Sequence, residues 1–264
     1  HETSLSVGAN ASQKKIILSE YLLSGHSRQK LYQGMLKRLA YDGGRRDFDQ
    51  TKQVQLGMNN VPVLDQGLHG TCTIFAMTAA LDAALNKGHY ISQLCLLELG
   101  NQLQLDGAKH SGWEGLSLEE SLYRVAQYGV INRDFQRRGS CTGVRFYPSY
   151  WMASSSPMPV EAYLERSEKI FGRAVSWRLL FDKFPGEALY QTTDAIKAAI
   201  DAGHRVVFGV LLPQSDVGTA GAVGWHHWFQ DTWVLTDAML REVRENSHIS
   251  GHAMIVTGYD DTAK

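Results

Sequence analysis

The sequence predicts an α+β protein of two lobes, a helical one followed by a strand-rich one. Three observations predict it. Capped helical patterns gather in the first half of the chain. Runs rich in β-branched residues come late, in "RVVFGVLL" (205–212) and "GHAMIVTGYDD" (251–261). The 264 residues, 44% of them hydrophobic, are enough for a sizeable core.

Residues 1–11 are small and polar and read as a frayed end. From Ser12 to Ala40, Ile16, Ile17, Tyr21, Leu22, Leu31, Met35, Leu36 and Leu39 fall at helical spacing. Gly25 divides this stretch into two amphipathic helices, whose apolar faces must dock on something. "YDGGRRDFDQ" (41–50) is a charged, glycine-containing connector. A helix is expected from Cys72 through Leu85, closed by Gly88. A second is capped by Ser92 and runs to about Leu99, and a third opens at the capping box of Ser117 and Glu120 and ends before Gly129. Residues 130–190 lack period and read as loops with short strands. "TTDAIKAAIDAG" (192–203) is a further helix, followed by the strand at 205–212. Residues 213–248 read as a long insertion, and Gly251 and His252 lead the last strand.

A formal net charge of −1 gives no electrostatic basis for a nucleic-acid or membrane-surface partner. No apolar run reaches the ~20 residues of a membrane-spanning helix.

The stretch that carries chemistry is "DQGLHGTCTIFAMTAAL" (65–81). It sets Cys72 at the mouth of a helix, where unpaired N–H groups and the helix dipole favour an anion, and a thiolate of depressed pKa is expected there. A nucleophilic cysteine also needs a base and oxyanion donors. His252, after a glycine on a strand, is the candidate base. The side-chain amide of Gln66, six residues before the cysteine, and the Cys72 backbone N–H are the candidate donors. Taken singly, each residue has a plainer structural explanation, and it is their ordered combination that points to catalysis.

These residues carry a resemblance. "PVLDQGLHGTC" followed by "FA" resembles the active-site segment of papain-like cysteine peptidases (peptidase family C1). "SGHAMIVTGYDD" is similar to their histidine segment, "AIKAAIDAGHRVVFGVLL" to the helix and strand before it, and "EESLYRVAQYGVI" to the helix after the glycine-lined cleft wall. The likeness runs from about Asn59 to Asp261. It implies a helical lobe and a β-barrel-like lobe with the cleft between them, Cys72 as nucleophile, His252 as base and Gln66 as oxyanion donor. It also implies substrate running past Gly70, Gly115 and Gly251. The Cys-to-His spacing is 180 residues, against roughly 130–150 in the family. The excess matches the insertion between Pro213 and His248.

Departures from the family pattern are specific. Leu68-His69 stands where the family has a cysteine, so the disulfide that tethers that loop is missing. Thr73 replaces the tryptophan after the nucleophile. No Asn follows His252, the last in the chain being Asn246. The histidine-orienting Asn is therefore expected 15–20 residues past His252 by resemblance, beyond Lys264, with Asp260 or Asp261 as substitutes.

The expected function is a cysteine endopeptidase acting on peptide or protein substrates. No cofactor or metal is needed, and a monomer is expected. Residues 1–55 are read as a helical pro-segment whose chain crosses the cleft, and 56–264 as the peptidase domain. Latency of that kind implies a secreted or vesicular, lysosome-like location. Two alternatives stay open: a peptidase-like fold that binds without cutting, or another thiol hydrolase or acyl transferase. A zinc site at His204, His226 and His227 is disfavoured, because adjacent histidines on an extended segment face opposite sides. Cys95 and Cys141 either pair or stay as thiols, and the apolar run around Cys95 favours a buried thiol.

Overall fold

The computed structural model describes residues 2–5, 14–17, 19–40, 52–149, 157–180, 189–212, 237–246 and 248–261. Its helical part is built on α2 (Cys72–Leu85), α3 (Gln93–Leu105) and α4 (Leu118–Tyr128). The capping residues read from the sequence set the starts of two of them. Ser92 accepts the Cys95 N–H at 3.0 Å, and Ser117 accepts the Glu120 N–H at 3.0 Å. Helix α2 stops at Asn86, which takes the left-handed conformation in place of the expected Gly88 (φ 55°). Ile74, Met77 and Leu81 of α2, Leu94 and Leu97 of α3, and Val125 of α4 pack into one core with Ile131 and Tyr163. Asp82 pins the far end of α2 to the approach to α3 by accepting the backbone N–H groups of Tyr90 (3.0 Å) and Ile91 (2.9 Å).

The region 130–180 contains two one-turn helices, α5 (Arg133–Arg137) and α6 (Val160–Leu164), and isolated bridges in place of the expected short strands. A disulfide joins Cys95 to Cys141 with Cα atoms 5.2 Å apart, so the expected buried thiol at Cys95 is corrected. Both residues are fully buried, and an apolar setting suits a disulfide as well as a thiol.

The strand part holds three antiparallel pieces. β1 (Glu2–Leu5) pairs with β2 (Lys14–Ile17). β3 (Ser19–Leu22), β6 (His248–Val256) and β5 (Val206–Leu212) form a sheet with β6 in the middle. β4 (Gln53–Gln55) pairs with β7 (Gly258–Asp260). Helix α7 (Leu189–Asp201) packs on β5 and β7, and α1 (Gly25–Ala40) packs on α8 (Asp237–Glu245). No closed barrel forms among the described residues. The fold is mixed α+β, and the barrel-like lobe expected from the resemblance is here a three-stranded sheet beside a two-stranded one.

Two expectations at the N-terminus are corrected. Glu2–Leu5 is a strand and not a frayed end. Lys14–Ile17 and Ser19–Leu22 form strands and not a helix, and among the described residues of this stretch only Gly25–Ala40 is helical. The stretch "KKIILSEYLL" has apolar residues at spacings that fit either period, and pairing with β1 and with the edge of β6 selects the extended form. Most of the expected insertion, 213–236, lies outside the described residues, as do the connector 41–50 and the histidines at 226 and 227.

Candidate active site

Cys72 is the first residue of α2, buried and with a free thiol. Its sulfur sits among donors: the backbone N–H groups of Cys72 and Thr73, the Thr73 hydroxyl and the backbone N–H of Ala253. The helix terminus thus supplies the N–H groups that the sequence promised. Burial nonetheless outweighs them and pushes the Cys72 thiol up from its ordinary value, correcting the expected depressed pKa. Thr73, where the family carries a tryptophan, is a direct hydrogen-bond partner of the sulfur.

His252 is adjacent in sequence to Ala253, and Ala253 packs with Cys72 and Ala76. It stands inside β6, opposite Val210 of β5, rather than at the head of the strand, because pairing on both sides extends β6 back to His248. Burial lowers the imidazole to a pKa of about 4, so the ring is neutral at pH 7. Its Nδ1 is buried and has no hydrogen-bond partner among the described residues. Asp261, one of the expected substitutes for an orienting Asn, forms an ion pair with Lys197 of α7.

Gln66 is buried and its Nε2 donates to the His69 carbonyl at 2.7 Å. An amide nitrogen carries two hydrogens, and this bond uses one of them to hold the turn before Cys72. Gly70 lies against the backbone of Glu114, where an added Cβ would stand 2.9 Å from the Glu114 carbonyl carbon. The close approach brings Gly70 beside Gly115, which adopts φ 126°. Buried Arg124 of α4 fixes this wall from behind through the carbonyls of His110 and Ser111. Gly251 is covered: a Cβ there would meet the Tyr21 ring at 2.4 Å.

The structure therefore brings Cys72 to the residue beside His252, and Gly70 to the neighbour of Gly115. It places Tyr21 of β3 on Gly251. Sequence reading missed three aromatic residues. Tyr21 is close enough to Cys72 for the thiol to act electrostatically on its hydroxyl. Trp113 and Tyr147 stack with ring centroids 5.7 Å apart beside the loop that carries Gln66. Their only sequence signal is an aromatic run in aperiodic segments.

No family model and no curated protein matches the sequence. Among solved structures the chain is similar to xylellain, a cysteine protease from Xylella fastidiosa. The TM-score is 0.46 and the identity 18%, over 82% of this chain and 73% of that one. Likeness at that level assigns neither fold nor activity, which must be argued from the site itself.

Proposed function

We propose that the chain is a cysteine peptidase of the papain-like kind, hydrolysing peptide bonds in peptide or protein substrates. One observation carries the reading: a free cysteine at a helix N-terminus packs in one cluster with Ala253, the residue next to His252, although 180 residues separate Cys72 from His252. In this mechanism the Cys72 thiolate attacks the substrate carbonyl carbon. The oxyanion takes hydrogen bonds from the Gln66 amide and the Cys72 N–H, and His252 accepts the thiol proton and delivers it to the leaving amine. Water then hydrolyses the thioester. The substrate chain runs past Gly70, Gly115 and Gly251.

The intact chain is read as latent, with residues 1–55 as pro-segment and 56–264 as catalytic domain. Support comes from β3, which lies along β6 with Tyr21 on Gly251. A buried thiol raised in pKa and a buried imidazole lowered to about 4 leave the pair neutral. Admitting water would move the two values toward each other and favour thiolate and imidazolium. Export to an oxidising compartment fits the Cys95–Cys141 disulfide. The test is peptide hydrolysis by the purified chain before and after limited proteolysis near "DGGRRDF" (42–48). Activity after the cut that is lost in Cys72→Ala supports the reading.

A second reading, a peptidase-like protein that binds without cutting, is favoured by the unpartnered Nδ1 of His252. It predicts no labelling of Cys72 by a thiol-directed epoxide at neutral pH even after proteolysis. Stoichiometric labelling would eliminate it. Transfer of an amine to a glutamine side chain, without net hydrolysis, would point to the acyl-transferase alternative.

A further inference from the structure

We infer that Tyr147 is a positioning residue that latches the loop from Gln66 to Thr71 and so sets the oxyanion donor against the nucleophile. The inference rests on the reading of Cys72 and Gln66 just given. The Tyr147 hydroxyl donates to the Gln66 carbonyl at 2.9 Å. Its one hydrogen being used there, it accepts from the Thr71 hydroxyl at 2.9 Å. A single phenol oxygen thus joins the two ends of the loop, at the donor residue and at the residue before Cys72.

Thr71 is the N-cap of α2 and fully buried, yet its side chain caps no helix N–H. Its hydroxyl is committed to Tyr147. The latch therefore holds Gln66 and keeps the Thr71 hydroxyl off the first turn of α2.

The neighbours of Tyr147 add to it. Leu68 N–H donates to the Ser149 carbonyl at 2.8 Å, and His69 Nε2 donates to the Pro148 carbonyl at 2.6 Å. Gly67, at φ 57°, permits this approach, because a Cβ would lie 1.9 Å from the Ser149 oxygen. Trp113 stacks on the Tyr147 ring, and Phe75 of α2 meets it edge-on at 4.8 Å. Upstream, the segment is secured by the Cys95–Cys141 disulfide and by the Gln136 amide donating to the Arg145 carbonyl at 3.0 Å. Where the resembled family ties this loop with a disulfide, this chain ties it with a phenol.

Tyr147→Phe keeps the ring in its stack and removes only the oxygen, and with it the bonds to the Gln66 carbonyl and the Thr71 hydroxyl. In the full chain, amide hydrogen exchange over residues 66–72 should rise roughly 10-fold, with α3 unchanged. In the proteolysed chain kcat should fall roughly 10-fold with KM within about twofold, and by less than about twofold when Gln66→Ala is already present. Tyr163→Phe serves as the control, since it removes a phenol bond that is more deeply buried, to the Gly129 carbonyl. It should change neither kcat nor exchange over 66–72. Unaltered exchange over 66–72 in Tyr147→Phe overturns the inference, as does an equal kcat loss with and without Gln66→Ala. Should the protein hydrolyse no peptide under any condition, the peptidase reading falls, and exchange over 66–72 alone decides the latch.

Discussion

Cys72 and His252, the two residues proposed to react, are held in unlike ways. The approach to Cys72 is fixed by hydrogen bonds at nearly every residue from Gln66 to Thr71 and by a disulfide behind its partner segment. His252 Nδ1 has no hydrogen-bond partner among the described residues, and the residue stands in a strand whose edge is taken by β3. The nucleophile half is preorganised, and the histidine half depends on what covers it. On the proposed reading, control over activity would belong to the strand side, where β3 lies along β6.

The largest effect expected from this contrast is at the two reacting groups. Cys72→Ala and His252→Ala should each reduce peptide hydrolysis by roughly 10³-fold or more. Retained turnover in His252→Ala would show that the histidine half contributes nothing. Next, Gln66→Ala should lower kcat by roughly 10²-fold at similar KM. A much smaller loss would mean that the rigid loop does not present an oxyanion donor.

Smaller effects address the cover. Tyr21→Ala should raise hydrolysis by the intact chain by about 10-fold, the change expected when a blocking equilibrium shifts by ~1.4 kcal/mol. The same variant should bring Cys72 alkylation down toward neutral pH. In the intact chain the raised thiol pKa confines alkylation to pH above the ordinary thiol value of about 8.5. Unchanged rates in both assays would make β3 a permanent part of the fold.

The smallest effect is on stability. Glu98, fully buried in α3 with Asn101 beside it, has its carboxyl raised to about 8 by burial. Between its unfolded value near 4.3 and about 8 the folded chain keeps a proton that the unfolded chain has released. Stability must fall as pH rises through that window. Glu98→Gln should remove the slope and raise Tm at pH 8 relative to the parent by about 2–4 °C or more, measured by calorimetry. A parallel pH profile would contradict the burial assigned to Glu98.

What could be read from the chain follows from how local each signal is. Ser92 and Ser117 cap helices through their own N–H groups three residues on, so both starts were legible. Cys72 at a helix mouth was legible for the same reason. The strand at 19–22 was not, because the partner that makes it extended lies over two hundred residues away in β6, and the one at 14–17 takes its form from pairing with β1. The sign of the Cys72 pKa shift also escaped, since burial depends on β6 packing against α2 rather than on the helix terminus. The roles of Tyr147 and Thr71 needed the spatial meeting of residues 66–71 with 147–149. A phenol in an aperiodic segment carries no such information by itself.

The central position of β6 has a consequence for the proposed released form. Withdrawal of β3 strips one side of β6 of its main-chain partners across His248–Gly251, directly before His252. A bared edge of that kind is a template for any extended chain. The same surface that would let an incoming polypeptide add itself as a strand beside the histidine would also let two uncovered copies stick together. Activation and self-association would then compete for one row of backbone amides, with protein concentration choosing between them.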